Sequence, residues 1–131
     1  MDYRVDPHCH VPPSQQLVEL VLDGIARGEL QPGDRLPSVR GLAGLALVNP
    51  NTVGKAYRDL EHLGATEGKN GSGVFVTARG PDVARALRLA TTLDAFRAAA
   101  AAALRAGHAP HLLLDLVRER PAVAPAMESK R

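Results

Sequence analysis

Asn51, Thr52, Lys55 and Arg58, with Gly54 among them, set an amide, a hydroxyl and two cations along the stretch NPNTVGKAYRDLEHLG, residues 49–64. At about 3.6 residues per turn they share one helix face, while Val53, Ala56, Tyr57, Leu60 and Leu63 form the opposite, apolar stripe. The polar face contains no carboxylate. An asparagine amide pairs bidentately with adenine, and a threonine hydroxyl hydrogen-bonds or touches a thymine methyl. Cations further along such a helix meet phosphates. The plain alternative is a solvated helix face.

The net charge of +2 decides little, but its distribution is informative. Residues 1–78 hold 7 cations against 9 acids, and residues 79–131 hold 9 against 5. Yet residues 35–58 contain Arg35, Arg40, Lys55 and Arg58 and no acid, and residues 68–81 contain Lys69 and Arg79 and none. Asp34, Asp59, Glu61 and Glu67 flank these windows. A cationic face on a near-neutral domain is what phosphate contact requires, although solvated charges with chance gaps would look alike. Arg40 has a planar fork that suits a guanine or a phosphate, or else a neighbouring carboxylate. Ser38 can cap a helix and donate to a phosphate together.

Other chemistries lack their residues. There is no carboxylate pair, no Ser/His/Asp set and no phosphate-binding glycine loop, so no catalytic site and no cofactor are expected. His8, Cys9 and His10 are adjacent and cannot converge on one ion, and no CxxC or HxxxH spacing completes a set, so no metal is expected. Cys9, the single cysteine, forms no internal disulfide. No apolar stretch approaches the roughly 18 residues of a membrane span, and no export signal opens the chain, so a cytoplasmic protein without membrane contact is expected.

The elements that must position these residues are legible from caps and periodicity. With 3% aromatic residues and no Trp, the core must be built mainly from Leu, Val and Ala, which suits helices. MDYRVDPHCHVPPS reads as an extended arm with room for a short strand. Ser14 is the expected cap of a first helix, Gln15 to Arg27, with Leu17, Leu20, Val21, Gly24 and Ile25 inward and Gly28 closing it. ELQPGDRLP reads as a turn anchored by Leu30 and Leu36.

Ser38 is expected to cap a second helix with Val39, Leu42, Ala43 and Ala46 inward. Asn49 caps the third, Pro50 takes its first position and Gly64 ends it. ATEG, a turn at Asn70-Gly71-Ser72-Gly73 and a strand from Val74 to Thr77 read as a hairpin. After Gly80-Pro81 a long helix runs to about Arg105, with six alanines, Ala98 to Ala103, as a flat face for another helix. Pro110 opens a last helix before Pro121, and residues 121–131 read as a disordered tail.

The fold class is therefore mainly α with a small β-hairpin. It is a winged helix-turn-helix over residues 1–78, followed by two helices over residues 79–120 and a flexible tail, 121–131.

GELQPGDRLPSVRGLAGLALVNPNTVGKAYRDLEHLGATEGKNGSGVFV closely resembles the DNA-binding domain of the GntR superfamily of bacterial transcription regulators. The likeness spans about residues 14 to 77, in order and without gaps. The short two-helix tail and VNPNTV look like the YtrA-like branch. The resemblance implies a homodimeric repressor on an inverted-repeat operator of double-stranded DNA, with dimer contacts from Leu89, Leu93, Phe96, Ala100 and Leu104, and from Leu113 and Leu116. The branch suggests a transporter operon with an ATP-binding subunit.

Arg40 matches the arginine of the family's LPS.R, and Asn49, Asn51 and Thr52 match the start of the recognition helix. Gly71 and Gly73 match the wing tip, where small residues beside Lys69 let backbone approach the minor groove. Many relatives carry arginine where this chain has Pro50, so that base contact does not carry over. A tail of about 50 residues cannot enclose a ligand cavity of ~300 Å³ alone, so any small-molecule effector would sit at the dimer interface or between domains. The competing class is a winged helix used as a protein-interaction module, its cations meeting an acidic partner.

Overall fold

Proline, which fixes φ near the helical value and has no N–H to leave unpaired in a first turn, opens three of the five helices among the described residues. The structure is a computed structural model and describes residues 1–119. Its elements are α1 (Pro13–Ala26), α2 (Val39–Ala46), α3 (Pro50–Leu63), β1 (Thr66–Lys69), β2 (Gly73–Val76), α4 (Gly80–Arg105) and α5 (Pro110–Arg118). The expected tail, residues 121–131, lies outside the described residues.

The chain forms two compact units, one from Met1 to Leu89 and the other beginning at Ala90, so the division falls inside α4. In the first unit α3 packs against α1, α2 and β1. Leu17, Val21 and Ile25 of α1, Leu42 and Ala46 of α2, and Val53, Ala56, Tyr57 and Leu60 of α3 share one core with Leu36 and Val76. The start of α4 reaches that core through Gly80 and Ala84, both buried. A Cβ on Gly80 would stand 2.9 Å from the Val76 side chain, so only glycine allows this approach.

Several local expectations need correction. Ser14 does not cap α1: the helix begins one residue earlier at Pro13, with Pro12 in the cap position and no side-chain cap bond. The proline pair pre-sets the backbone, leaving the cap hydroxyl no role. The N-terminal arm holds no strand, yet Tyr3 and Val5 are buried in the core. Gln16 staples the arm: its Oε1 accepts from Asp6 N–H at 2.9 Å, and its Nε2 donates to the carbonyls of Asp6 and Val11. Val39 and Leu63, expected inward, lie 36% and 38% exposed at helix ends, where the packed stripe runs out.

Each hairpin strand is displaced one residue toward the turn from its expected place, the first running Thr66–Lys69 and the second Gly73–Val76, with Thr66 opposite Val76 and Lys69 opposite Gly73. A further extended segment joins it. Leu36 N–H donates to Val74 O and Val76 N–H to Asp34 O, and Arg35 stands opposite Phe75, so DRL borders β2 as a third strand-like edge. Alternation turns Leu36, Thr66, Val74 and Val76 toward the core and Arg35, Glu67, Lys69, Gly73 and Phe75 outward.

Two positions carry avoidable cost. Leu47 closes α2 in the left-handed conformation, φ 59°, and is 81% exposed. An L side chain there costs about 1–2 kcal/mol, with almost no burial in return. Leu47→Gly is expected to raise the unfolding free energy by about 1 kcal/mol, read as a higher urea midpoint. Thr66 is 2% exposed, and its Oγ1 is the one buried side-chain polar atom without a hydrogen-bond partner among the described residues. Thr66→Val removes that uncompensated hydroxyl and should stabilise by about 1 kcal/mol in the same titration; a lower midpoint would show that the hydroxyl is satisfied.

Candidate nucleic-acid interface

The backbone of α3 begins on a cap that constrains its own chemistry. Asn49 accepts the Asn51 N–H on its Oδ1 at 2.7 Å. That bond occupies one lone pair of the oxygen and ties the side chain to the helix start, which leaves the amide NH2 as the freer function of Asn49. Asn51 is exposed and its side chain has no hydrogen bond among the described residues, so both its amide functions face outward. Thr52, half-buried, sits beside it, and Lys55 and Arg58 are exposed one and two turns on. The face exists because Val53, Ala56, Tyr57 and Leu60 are drawn into the core on the other side.

The two cations are held differently. Lys55 Nζ lies 3.2 Å from Asp59, an i,i+4 pair, so an acid absent from the face itself reaches back to it. The pair is exposed and of little energetic worth, and its carboxylate competes with a phosphate for the ammonium. Arg58 makes no ion pair among the described residues. Its Nη1 lies 3.5 Å from where a Cβ on Gly54 would be, so the guanidinium folds one turn toward the helix start.

The second helix presents its residues on a capped start. Ser38 Oγ accepts from Gly41 N–H at 3.0 Å, leaving the hydroxyl proton free to donate. Arg40, one residue into α2, is exposed and pairs with no carboxylate among the described residues. Tyr57 fixes this segment against α3, donating its hydroxyl to Pro37 O at 2.6 Å. This link between the two helices is a positioning contact that the sequence pattern does not show, because the tyrosine reads there only as core.

Burial, with Tyr3 as a second cause, pushes the Tyr57 phenol well above its ordinary value near 10. A folded-state value above the unfolded one means stability is fully present below about pH 10 and falls as pH rises through the folded value. Wild type should therefore lose stability between about pH 8 and about pH 11, and Tyr57→Phe should lose less over that interval. The variant starts about 1 kcal/mol lower for want of the Pro37 bond. Denaturant titrations at the two pH values check both parts.

At the hairpin tip Gly71, φ 72°, has nothing within 4 Å of a hypothetical Cβ. Gly73 differs. Its φ is 119°, and Arg35 Nε lies 2.7 Å from the same construction, so the space above that glycine is filled by arginine. Lys69 sits with Nζ 5.1 Å from the centre of the half-buried Phe75 ring. Arg35 belongs to the acid-free window but receives no role in the sequence; the alternation that turns Leu36 inward was the available signal that Arg35 faces out.

In the second unit Leu93, Phe96 and Leu104 of α4 are about half exposed, while Ala100 is partly covered. Leu89, 73% exposed, ends the first unit. In α5 no residue is buried, with Leu116 exposed and Leu113 partly covered. The described residues contain no group of His, Cys, Asp and Glu fit to hold a metal, and no helix among them is long and apolar enough to cross a membrane.

Residues 13–76 match the family model of the bacterial regulatory proteins, gntR family. The HTH-type transcriptional repressor YtrA of Bacillus subtilis is 39% identical over 74 residues, 56% of this chain and 57% of that one. The HTH-type transcriptional regulator Rv1152 of Mycobacterium tuberculosis is 41% identical over 107 residues, covering 72% of this chain and 88% of its own length. Among solved structures, the DNA-binding domain of AraR in complex with operator ORX1 superposes with a TM-score of 0.52 at 27% identity, over 56% of this chain and 90% of that one.

Proposed function

The chain belongs to the gntR family of bacterial regulatory proteins, and from that premise we propose that it is a sequence-specific DNA-binding repressor acting as a homodimer on an inverted-repeat operator. The observation that carries the reading is the outward face of α3: an amide with both functions free, a hydroxyl and two cations, above a fully packed apolar stripe. Asn51 and Thr52 read base edges in a major groove, and Lys55, Arg58 and Lys69 meet phosphates. Arg40 reads a guanine or anchors a phosphate, Ser38 and Asn49 donate to the backbone, and Gly71 lets the wing tip approach a minor groove.

Residues 1–78 are the DNA-binding domain and residues 79–120 the dimerisation region, supported by the exposed Leu89, Leu93, Phe96, Leu104 and Leu116. Ala100 and Leu113 complete that apolar set. Two copies place two recognition helices on half-sites about one helical turn, or 34 Å, apart. The regulated genes are a transporter operon with an ATP-binding subunit.

Selection from a pool of random duplexes tests this directly. An inverted repeat should emerge, bound with an affinity that falls steeply with salt, roughly 0.9 logarithmic units per unit of log salt for each phosphate contacted. Recovery of no preferred sequence over bulk duplex would refute the reading and favour the acidic-protein module.

A further inference from the structure

Five outward residues of the hairpin and its bordering segment share one face in two adjacent rows: Arg35, Phe75 and Glu67 across three strands, and Lys69 opposite Gly73 across two. Phe75 is thus flanked by a guanidinium and an ammonium. The Arg35 side chain lies across Gly73, its Nε 2.7 Å from where a Cβ would stand, and Lys69 lies over the ring. Neither cation pairs with a carboxylate among the described residues, although Glu67 shares their face. Gly73 is therefore kept small by its left-handed φ and by the arginine together.

We infer that Arg35 is a phosphate-binding residue of the wing, pre-positioned on Gly73 so that it and Lys69 straddle one strand of duplex DNA beside Phe75. The inference rests on the DNA-binding reading above and adds to it a residue outside α3, α2 and the hairpin tip. The occupant is a polyanion because this face offers two cations without a carboxylate partner against one acid, with an apolar ring beside them that a sugar can cover. An arginine that already lies across the sheet face gives up less rotamer freedom on binding than one extended into solvent, and its planar fork suits a phosphate.

The test is salt-dependent binding of the full chain to a duplex recovered from random-pool selection and to bulk duplex. Arg35→Gln should lower the slope of log affinity against log salt by about 0.9, with an equal affinity loss on both duplexes. Arg35→Lys should keep the slope, since the charge remains. In the unaltered protein, which removes any question of folding, duplex should slow the reaction of Arg35 with phenylglyoxal. An unchanged slope in Arg35→Gln, or equal Arg35 reactivity with and without duplex, overturns the inference while wild-type binding leaves the broader reading standing. Loss confined to the selected sequence would make Arg35 a base reader and overturn it too. If wild type binds neither duplex, the broader reading fails first.

Discussion

Leu60→Ala is expected to cost about 2–5 kcal/mol of folding free energy, the largest stability effect of any single change considered. Leu60 is fully buried on α3, the helix that packs on α1, α2 and β1, so its truncation opens a cavity in the shared core. A domain of this size has only about 5–15 kcal/mol in total, and the loss would leave a marginal protein at growth temperature. Chemical denaturation should show a lower midpoint with unchanged slope. Leu63→Ala, three residues on but 38% exposed, should cost well under half as much. Equal costs at the two positions would mean that α3 does not anchor the core in this orientation.

Arg40→Ala is expected to weaken binding to the selected operator by about 1–3 kcal/mol, between roughly fivefold and 150-fold, if Arg40 reads a base. The side chain is exposed at a capped helix start and has no acid to release on binding, so little of its interaction is spent on breaking an existing pair. The loss should centre on one operator position, where sequence preference flattens. A uniform loss across all sequences reassigns Arg40 to phosphate. Arg40→Lys separates charge from geometry, because the ammonium keeps the former and not the bidentate fork.

The sequence alone determined the order of the helices, apart from their end residues, and which face of α3 is wet. Ser38, Asn49, Pro50 and Gly64 act within one turn of their own position, and the stripe Val53, Ala56, Tyr57 and Leu60 repeats with the helical period, so both are local properties. The family pattern read from about residue 14 to 77 added the order of the parts. Contacts between residues far apart in the chain were decided only by the tertiary structure. Tyr57 reaching Pro37, Arg35 lying on Gly73, and Gln16 holding the arm depend on how three elements pack, and no periodicity encodes that. Asp59 folding back on Lys55 is an intermediate case: the i,i+4 spacing was visible, but the choice of Asp59 as partner is a side-chain conformation. Short-range steric and capping rules act before the chain folds back on itself, whereas each of these positioning contacts exists only once the core has brought its two ends together.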